Sequence, residues 1–81
     1  MLLIGRDLIL EFQRKHPDSR APLSAWTQTV EQNHFKHFVS LKQTFGSAAR
    51  GSPYTVFNIA GTKYRLMATI NYALQSLTVT S

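Results

Sequence analysis

Two cationic side chains, Lys63 and Arg65, stand two positions apart in an otherwise apolar stretch and are the residues best suited to bind an anion. A guanidinium holds two phosphate oxygens at once and stays charged at any working pH. Because neighbouring cations repel each other, such a pair favours an anionic counter-group. We predict that Lys63 and Arg65 share one strand face and that Arg65 grips a scissile phosphate; the alternative is a solvated charge on an open sheet.

Five more polar residues are candidates for contact with RNA. Asn58 has an amide that orients a phosphate or a base, or else satisfies nearby backbone. Lys42 and Arg50 extend a basic surface, or are simply solvated. His34 and His37 have the spacing of one helical turn, which suits a metal pair, a general base or a phosphate contact. Without a nearby Cys or carboxylate to complete a metal site, we favour solvent-facing or helix-terminal histidines that position RNA.

Most hydrolase and kinase chemistries are excluded by what the sequence lacks. No Ser-His-Asp order, Gly-rich phosphate loop or carboxylate pair is present, and the four acidic residues all lie in the N-terminal half. RNA cleavage is still compatible with the sequence, because the attacking group in that reaction is the 2′-OH of the RNA itself. The protein then needs only to align that hydroxyl, take a proton and stabilise charge on the phosphorus.

Hydrophobic periodicity predicts the elements that position these residues. We expect a short strand over residues 2–4, helices over residues 6–16 and 20–33, a chain reversal over 34–45, a loop over 46–53, and strands over 54–59, 63–74 and 76–80. Side chains of a strand alternate between its faces, so Leu66 and Ala68 should face a core while Lys63 and Arg65 face away. A simple hairpin register adds Asn58 to the second face.

The predicted fold is α+β, with an N-terminal strand and two helices packed on one face of a small antiparallel sheet. The other face is left open to a ligand. The last strand is expected at an exposed edge of the sheet, where it invites pairing with a segment of a partner protein or with a second copy.

Composition fits one small domain spanning residues 1–81. Nine Lys plus Arg against four Asp plus Glu give a net charge of +5, which favours nucleic acid or an acidic partner. Cysteine is absent, so disulfides and thiolate metal sites are excluded. The apolar opening at residues 1–4 is too short for a signal sequence or a membrane span, which makes the cytoplasm the default location.

The segment from residue 56 to 66 reads Val-Phe-Asn-Ile-Ala-Gly-Thr-Lys-Tyr-Arg-Leu. It is preceded by His-Pro-Asp at residues 16–18, Pro-Leu at 22–23, Ala-Trp at 25–26 and Leu-Lys-Gln-Thr-Phe at 41–45. In this order, across nearly the whole chain, the sequence resembles the HigB-type toxins of the RelE superfamily.

That resemblance implies a toxin of a type II toxin-antitoxin system that cleaves mRNA on the translating ribosome. It also implies a HigA-like antitoxin with a helix-turn-helix domain, operator DNA bound only through that antitoxin, no membrane, and no metal or organic cofactor. Carried over by motif, Asn58, Lys63 and Arg65 are the expected RNA contacts, with Arg65 stabilising the phosphate.

Two positions depart from the family pattern. Thr62 replaces the usual Asn, which a turn accepts less easily if φ must be positive. Family members also continue past the position of Ser81 with a Thr-His-x-Glu-Tyr-Asp segment, whose His and Tyr are candidate acid or base groups. Three hypotheses follow. The first is a metal-independent endoribonuclease with Lys63 and Arg65 as catalytic residues and with His34 or His37 in place of the missing groups. The second is a shortened toxin-like protein that binds RNA, the ribosome or the antitoxin without cutting, and the third is a small structural domain.

Overall fold

The computed structural model describes residues 1–80 and confirms the α+β class. Its elements are β1 (Leu2–Ile4), α1 (Arg6–Lys15), a 3-10 helix (Pro17–Ser19), α2 (Arg20–Gln32), α3 (Phe38–Thr44), β2 (Ala49–Gly51), β3 (Tyr54–Ile59), β4 (Tyr64–Asn71) and β5 (Ser76–Val79). Two expectations are corrected: the chain reversal contains the helix α3, and the expected loop contains the strand β2. None of the helices within residues 1–80 is long and apolar enough to cross a membrane.

The five strands form one sheet in the order β1-β5-β4-β3-β2. The pairs β2–β3, β3–β4 and β4–β5 are antiparallel, whereas β1 runs parallel to β5. The sheet is therefore mixed, and the prediction of an antiparallel sheet is wrong for β1. The prediction that the last strand is an edge is also wrong, because β5 lies between β1 and β4. The prediction about the segment that follows Thr80 begins at Ser81, which lies outside the described residues.

A sharp change of direction at Gly5 takes the chain from β1 directly into α1, the start of the crossover between the parallel strands β1 and β5. Gly5 has φ 96°, in the left-handed region, and is followed at once by α1. Helix α1 and the rest of the helical half then return the chain over one face of the sheet before β5 reaches β1. A parallel pair requires a crossover of this kind.

The core lies between the helices and that same face of the sheet, which we call the covered face. Leu66 and Ala68 of β4 are buried, with 6% and 0% of their surface exposed, while Arg65, which directly precedes Leu66, is exposed. Phe57 of β3 is 1% exposed and packs edge-on against Trp26 of α2, with ring centroids 5.3 Å apart. The predicted alternation along β4 is confirmed.

The turn between β3 and β4 places the left-handed backbone before Thr62. Ala60 has φ 56° and Gly61 has φ 69°, and Thr62 is not among the residues with positive φ. The replacement of Asn by Thr at position 62 therefore meets no left-handed strain. Lys63 ends this turn, with its backbone N–H donating to the carbonyl oxygen of Ala60 at 3.2 Å.

Candidate nucleic-acid interface

The face of the sheet opposite the core, which we call the open face, presents Arg65 and Asn58 side by side. In the register of the β3–β4 hairpin, Asn58 lies directly opposite Arg65. Directly paired residues of antiparallel strands point to the same face, with Cβ atoms about 4.5–5.5 Å apart. Because Leu66 and Phe57 are buried on the other face, both polar side chains are directed away from the helices. The expected register of Asn58 is confirmed.

The Arg65 guanidinium has no hydrogen-bond or ion-pair partner among residues 1–80. Arg65 is exposed to solvent, whereas Asn58 is half-buried. An exposed guanidinium with free N–H groups can donate hydrogen bonds to two oxygens of one phosphate, and the neighbouring amide supplies a further donor. This part of the open face can therefore bind a phosphodiester.

Lys63 does not share this face with Arg65, which corrects the expectation of a cationic pair. Its ammonium donates to Oδ2 of Asp18, a residue of the 3-10 helix. The same ammonium lies 5.5 Å from the centre of the Tyr64 ring. Lys63 is in the turn and not in β4, so the alternation of the strand does not fix its direction. Asp18 therefore supplies the anionic group that the neighbouring cations Lys63 and Arg65 favour.

Asp18 is the centre of a polar cluster that sequence reasoning missed. Its Oδ1 accepts a hydrogen bond from the hydroxyl of Tyr64 at 2.8 Å. The rings of His16 and Tyr64 are 5.3 Å apart, and those of Phe12 and His16 are 4.4 Å apart. The only sequence signal for this cluster is the His-Pro-Asp motif at residues 16–18. In the structure Ser19 is the N-cap residue of α2, and the Asp18 carboxylate turns to the hairpin.

Hydrogen bonds within this cluster shift three pKa values. The bond from Lys63, followed by that from Tyr64, lowers the pKa of Asp18 below its ordinary value. The bond to Asp18 raises the pKa of Lys63, and the bond to the same carboxylate raises the pKa of Tyr64. All three groups therefore keep their ordinary charge states near neutral pH, with a carboxylate, an ammonium and a neutral phenol.

Lys42 and Arg50 are engaged away from Arg65. The Lys42 ammonium donates to the carbonyl oxygens of Gly46 at 3.1 Å and Ala48 at 2.7 Å, and so holds the loop after α3. Arg50 pairs with the buried Thr55 in the sheet register, which places it on the covered face. The structure does not bring these two cations together with Arg65, and their contact with RNA stays a prediction.

The two histidines do not share a helical turn. His34 lies in the irregular segment between α2 and α3, and His37 is the N-cap residue of α3. Nδ1 of His37 accepts from the backbone N–H of Ser40 at 3.3 Å, and Oγ of Ser40 accepts from the backbone N–H of His37 at 3.1 Å. This arrangement is a capping box. The helix-terminal account of His37 is confirmed, and within residues 1–80 no group of three potential ligands could hold a metal ion.

An apolar cavity of about 60 Å³ lies beside the start of β4. Leu8 and Phe12 of α1 and Leu66 and Val79 of the sheet contribute to its walls, and Arg65 also borders it. Because its walls are mostly hydrocarbon, with no carboxylate, histidine or cysteine among the lining residues, the cavity offers no site for carboxylate or metal chemistry. The chemically useful surface is the open face and the Asp18 cluster, not this cavity.

Comparison with known proteins supplies the family. No curated protein matches the chain. The family model HigB_toxin, described as the RelE-like toxic component of a toxin-antitoxin system, matches residues 19–81. This range includes α2, α3, the whole of β2 to β5 and both Asn58 and Arg65. The chain therefore belongs to the HigB_toxin family of RelE-like toxins.

Proposed function

We propose that this toxin is an endoribonuclease that cleaves mRNA on the translating ribosome. The observation that carries the proposal is the exposed, unpartnered Arg65 opposite Asn58 on the open face, within residues 1–80. The family supports a toxin with an antitoxin partner. We further propose that this partner is a HigA-like helix-turn-helix protein, that operator DNA is bound only through it, and that the toxin acts in the cytoplasm.

In the proposed reaction, the 2′-OH of the RNA attacks the adjacent phosphorus and the P–O5′ bond breaks. A general base accepts the proton of the 2′-OH, a general acid donates a proton to the 5′ oxygen, and a 2′,3′-cyclic phosphate is left on the upstream RNA fragment. Arg65 binds the non-bridging oxygens, where negative charge grows in the transition state. Asn58 orients the phosphate or the neighbouring base. Because the nucleophile belongs to the substrate, alignment and charge stabilisation carry much of the rate enhancement.

A second candidate is a toxin-like protein that binds RNA, the ribosome or the antitoxin without cutting. It is favoured by the neighbours of Arg65 on the described open face. Asn58 lies across from Arg65 and Met67 lies two positions along β4, and neither side chain transfers protons near neutral pH. General acid–base catalysis typically raises the reaction rate by about 10²–10⁴-fold. A face without such groups would therefore bind RNA but cleave it far more slowly.

The experiment that separates the two candidates uses ribosomes translating a defined mRNA, with cut sites mapped by primer extension. We compare the wild-type chain, Arg65→Ala and the control Arg14→Ala, which removes an exposed guanidinium of α1. Loss of a group that stabilises transition-state charge costs about 10²–10³-fold in rate, so discrete cuts should fade in Arg65→Ala only. Wild-type protein that binds ribosomes but makes no cuts would support the second candidate. Equal cutting by Arg65→Ala and Arg14→Ala would show that Arg65 does not contribute to cleavage.

A further inference from the structure

The ion pair between Lys63 and Asp18 joins two distant parts of the chain next to the candidate site. Asp18 lies in the bend between α1 and α2, and Lys63 lies in the turn that leads into β4. Arg65 follows Lys63 by two positions. The hydroxyl of Tyr64 reaches the same carboxylate from the intervening position. One carboxylate therefore holds the segment that leads into Arg65, and it pairs with Lys63, the cation nearest to Arg65 in the sequence.

This pair is easily exchanged for another anion. The side chains of Lys63 and Asp18 are 61% and 44% exposed. Exposed pairs of this kind contribute little to stability, because water screens them and two side chains are ordered. Lysine is a point charge on a flexible four-carbon stem, so its ammonium can turn to a different acceptor without a change in the backbone. A phosphate bound at Arg65 brings such an acceptor close.

We propose that Asp18 is a built-in competitor for the RNA phosphate. In the free protein Asp18 holds the Lys63 ammonium on the covered side of the sheet. When RNA binds, the ammonium moves from the carboxylate to a phosphate oxygen beside Arg65. Lys63 is thus a second phosphate ligand, and Asp18 is a positioning residue that sets how tightly RNA binds. The inference rests on the proposed function, since it requires RNA at Arg65.

Charge balance supports this exchange. Without RNA, a free Lys63 beside Arg65 would be repelled by the guanidinium, and Asp18 offsets that repulsion. With RNA, the phosphates supply the counter-charge for both cations. The pKa of Asp18 is lowered mainly by its bond from Lys63, so the carboxylate stays ionised near neutral pH and competes steadily.

The test measures the affinity of the 81-residue chain for a short fluorescent single-stranded RNA at about 50 and about 200 mM KCl. The variant Asp18→Asn keeps an oxygen for the Tyr64 hydroxyl but loses the charge. Its matched control is Glu31→Gln, which removes the same charge from the exposed pair between Glu31 and Arg6. We expect Asp18→Asn to bind RNA about two- to fivefold more tightly than Glu31→Gln, the range that an exposed pair allows.

A second variant, Lys63→Met, tests the role of the ammonium independently of position 18. We expect it to weaken binding and to reduce the slope of log K against log salt by about 0.7, the value for one phosphate of a single strand. Its control is Lys15→Met, which removes an ammonium from the exposed pair with Glu11. In the Lys63→Met background, Asp18→Asn should gain no more affinity than Glu31→Gln.

Three outcomes would overturn the inference. They are equal affinities of Asp18→Asn and Glu31→Gln, an unchanged salt slope in Lys63→Met, and a gain from Asp18→Asn that persists without Lys63. The variant Arg65→Ala separates this failure from failure of the proposed function. If Arg65→Ala still weakens RNA binding, the site stands and only the competition is wrong. If the wild-type chain binds no RNA even at low salt, both fall together.

Discussion

Replacement of Gly5 by alanine is predicted to destabilise the protein by about 2–5 kcal/mol. Gly5 has φ 96°, and a Cβ atom there would lie 3.1 Å from the carbonyl oxygen and 3.2 Å from the Cβ of Val79. Left-handed backbone costs an L-residue about 1–2 kcal/mol. Forcing an extra methyl group against packed atoms adds about 1–3 kcal/mol. The atoms in the way belong to the backbone and Cβ of β5, so rotation of a side chain cannot relieve the contact.

Thermal unfolding followed by circular dichroism measures this effect. For a domain of this size, 1 kcal/mol shifts the melting temperature by about 4–8 °C, so Gly5→Ala should lower it by about 8 °C or more. Gly46→Ala is the matched control. A Cβ at Gly46 meets nothing within 4 Å and φ there is not left-handed, so its stability should stay unchanged or rise by up to about 1 kcal/mol. Similar melting temperatures for the two variants would refute the close approach of Gly5 to β5.

Three other predictions concern the core and the Asp18 cluster. Phe57→Ala should cost about 3–5 kcal/mol in urea unfolding because the ring is 1% exposed, whereas Val39→Ala, at a 63% exposed position, should stay within about 0.5 kcal/mol. Tyr72→Phe should be neutral or stabilising by up to about 1 kcal/mol in the same assay, because its buried hydroxyl, whose pKa is raised by burial, has no partner within residues 1–80. The lowered pKa of Asp18 means that its bond from Lys63 stabilises the fold above the ordinary value of 3.8 and is lost as pH falls through the folded value. The stability difference between wild type and Asp18→Asn should therefore vanish in acid, and a difference that persists there would contradict the assignment.

Local periodicity was sufficient to predict the open face, because each strand residue is positioned by its immediate neighbours. Leu66 and Ala68 must reach the core, so Arg65, which directly precedes Leu66, must face the other way. A one-residue slip of register would expose both Leu66 and Ala68. The same reasoning placed Asn58 correctly. It failed for Lys63, which lies one residue before the strand, where the alternation does not yet apply.

The remaining errors come from contacts between residues far apart in the sequence. Asp18 is 45 positions from Lys63, and no local pattern reports a bond across that separation. The parallel pairing of β1 with β5 is equally remote, since Leu3 lies beside Leu77. The short helix α3 was missed for a different reason. Its seven residues give too little periodicity, and its start is marked by His37, which is not a usual capping residue.

The candidate site depends on the core as directly as on the residues that would touch RNA. Arg65 and Asn58 have no bonds among residues 1–80 that fix their side chains on the open face, so their relative position comes from the strands beneath them. Those strands are held by Phe57 and Leu66, which alternate with the site residues and are 1% and 6% exposed. A phosphate bridging two strands requires that their separation and register stay fixed, because small displacements weaken transition-state contacts steeply. Substitutions that loosen the covered face should therefore lower RNA binding before they unfold the chain.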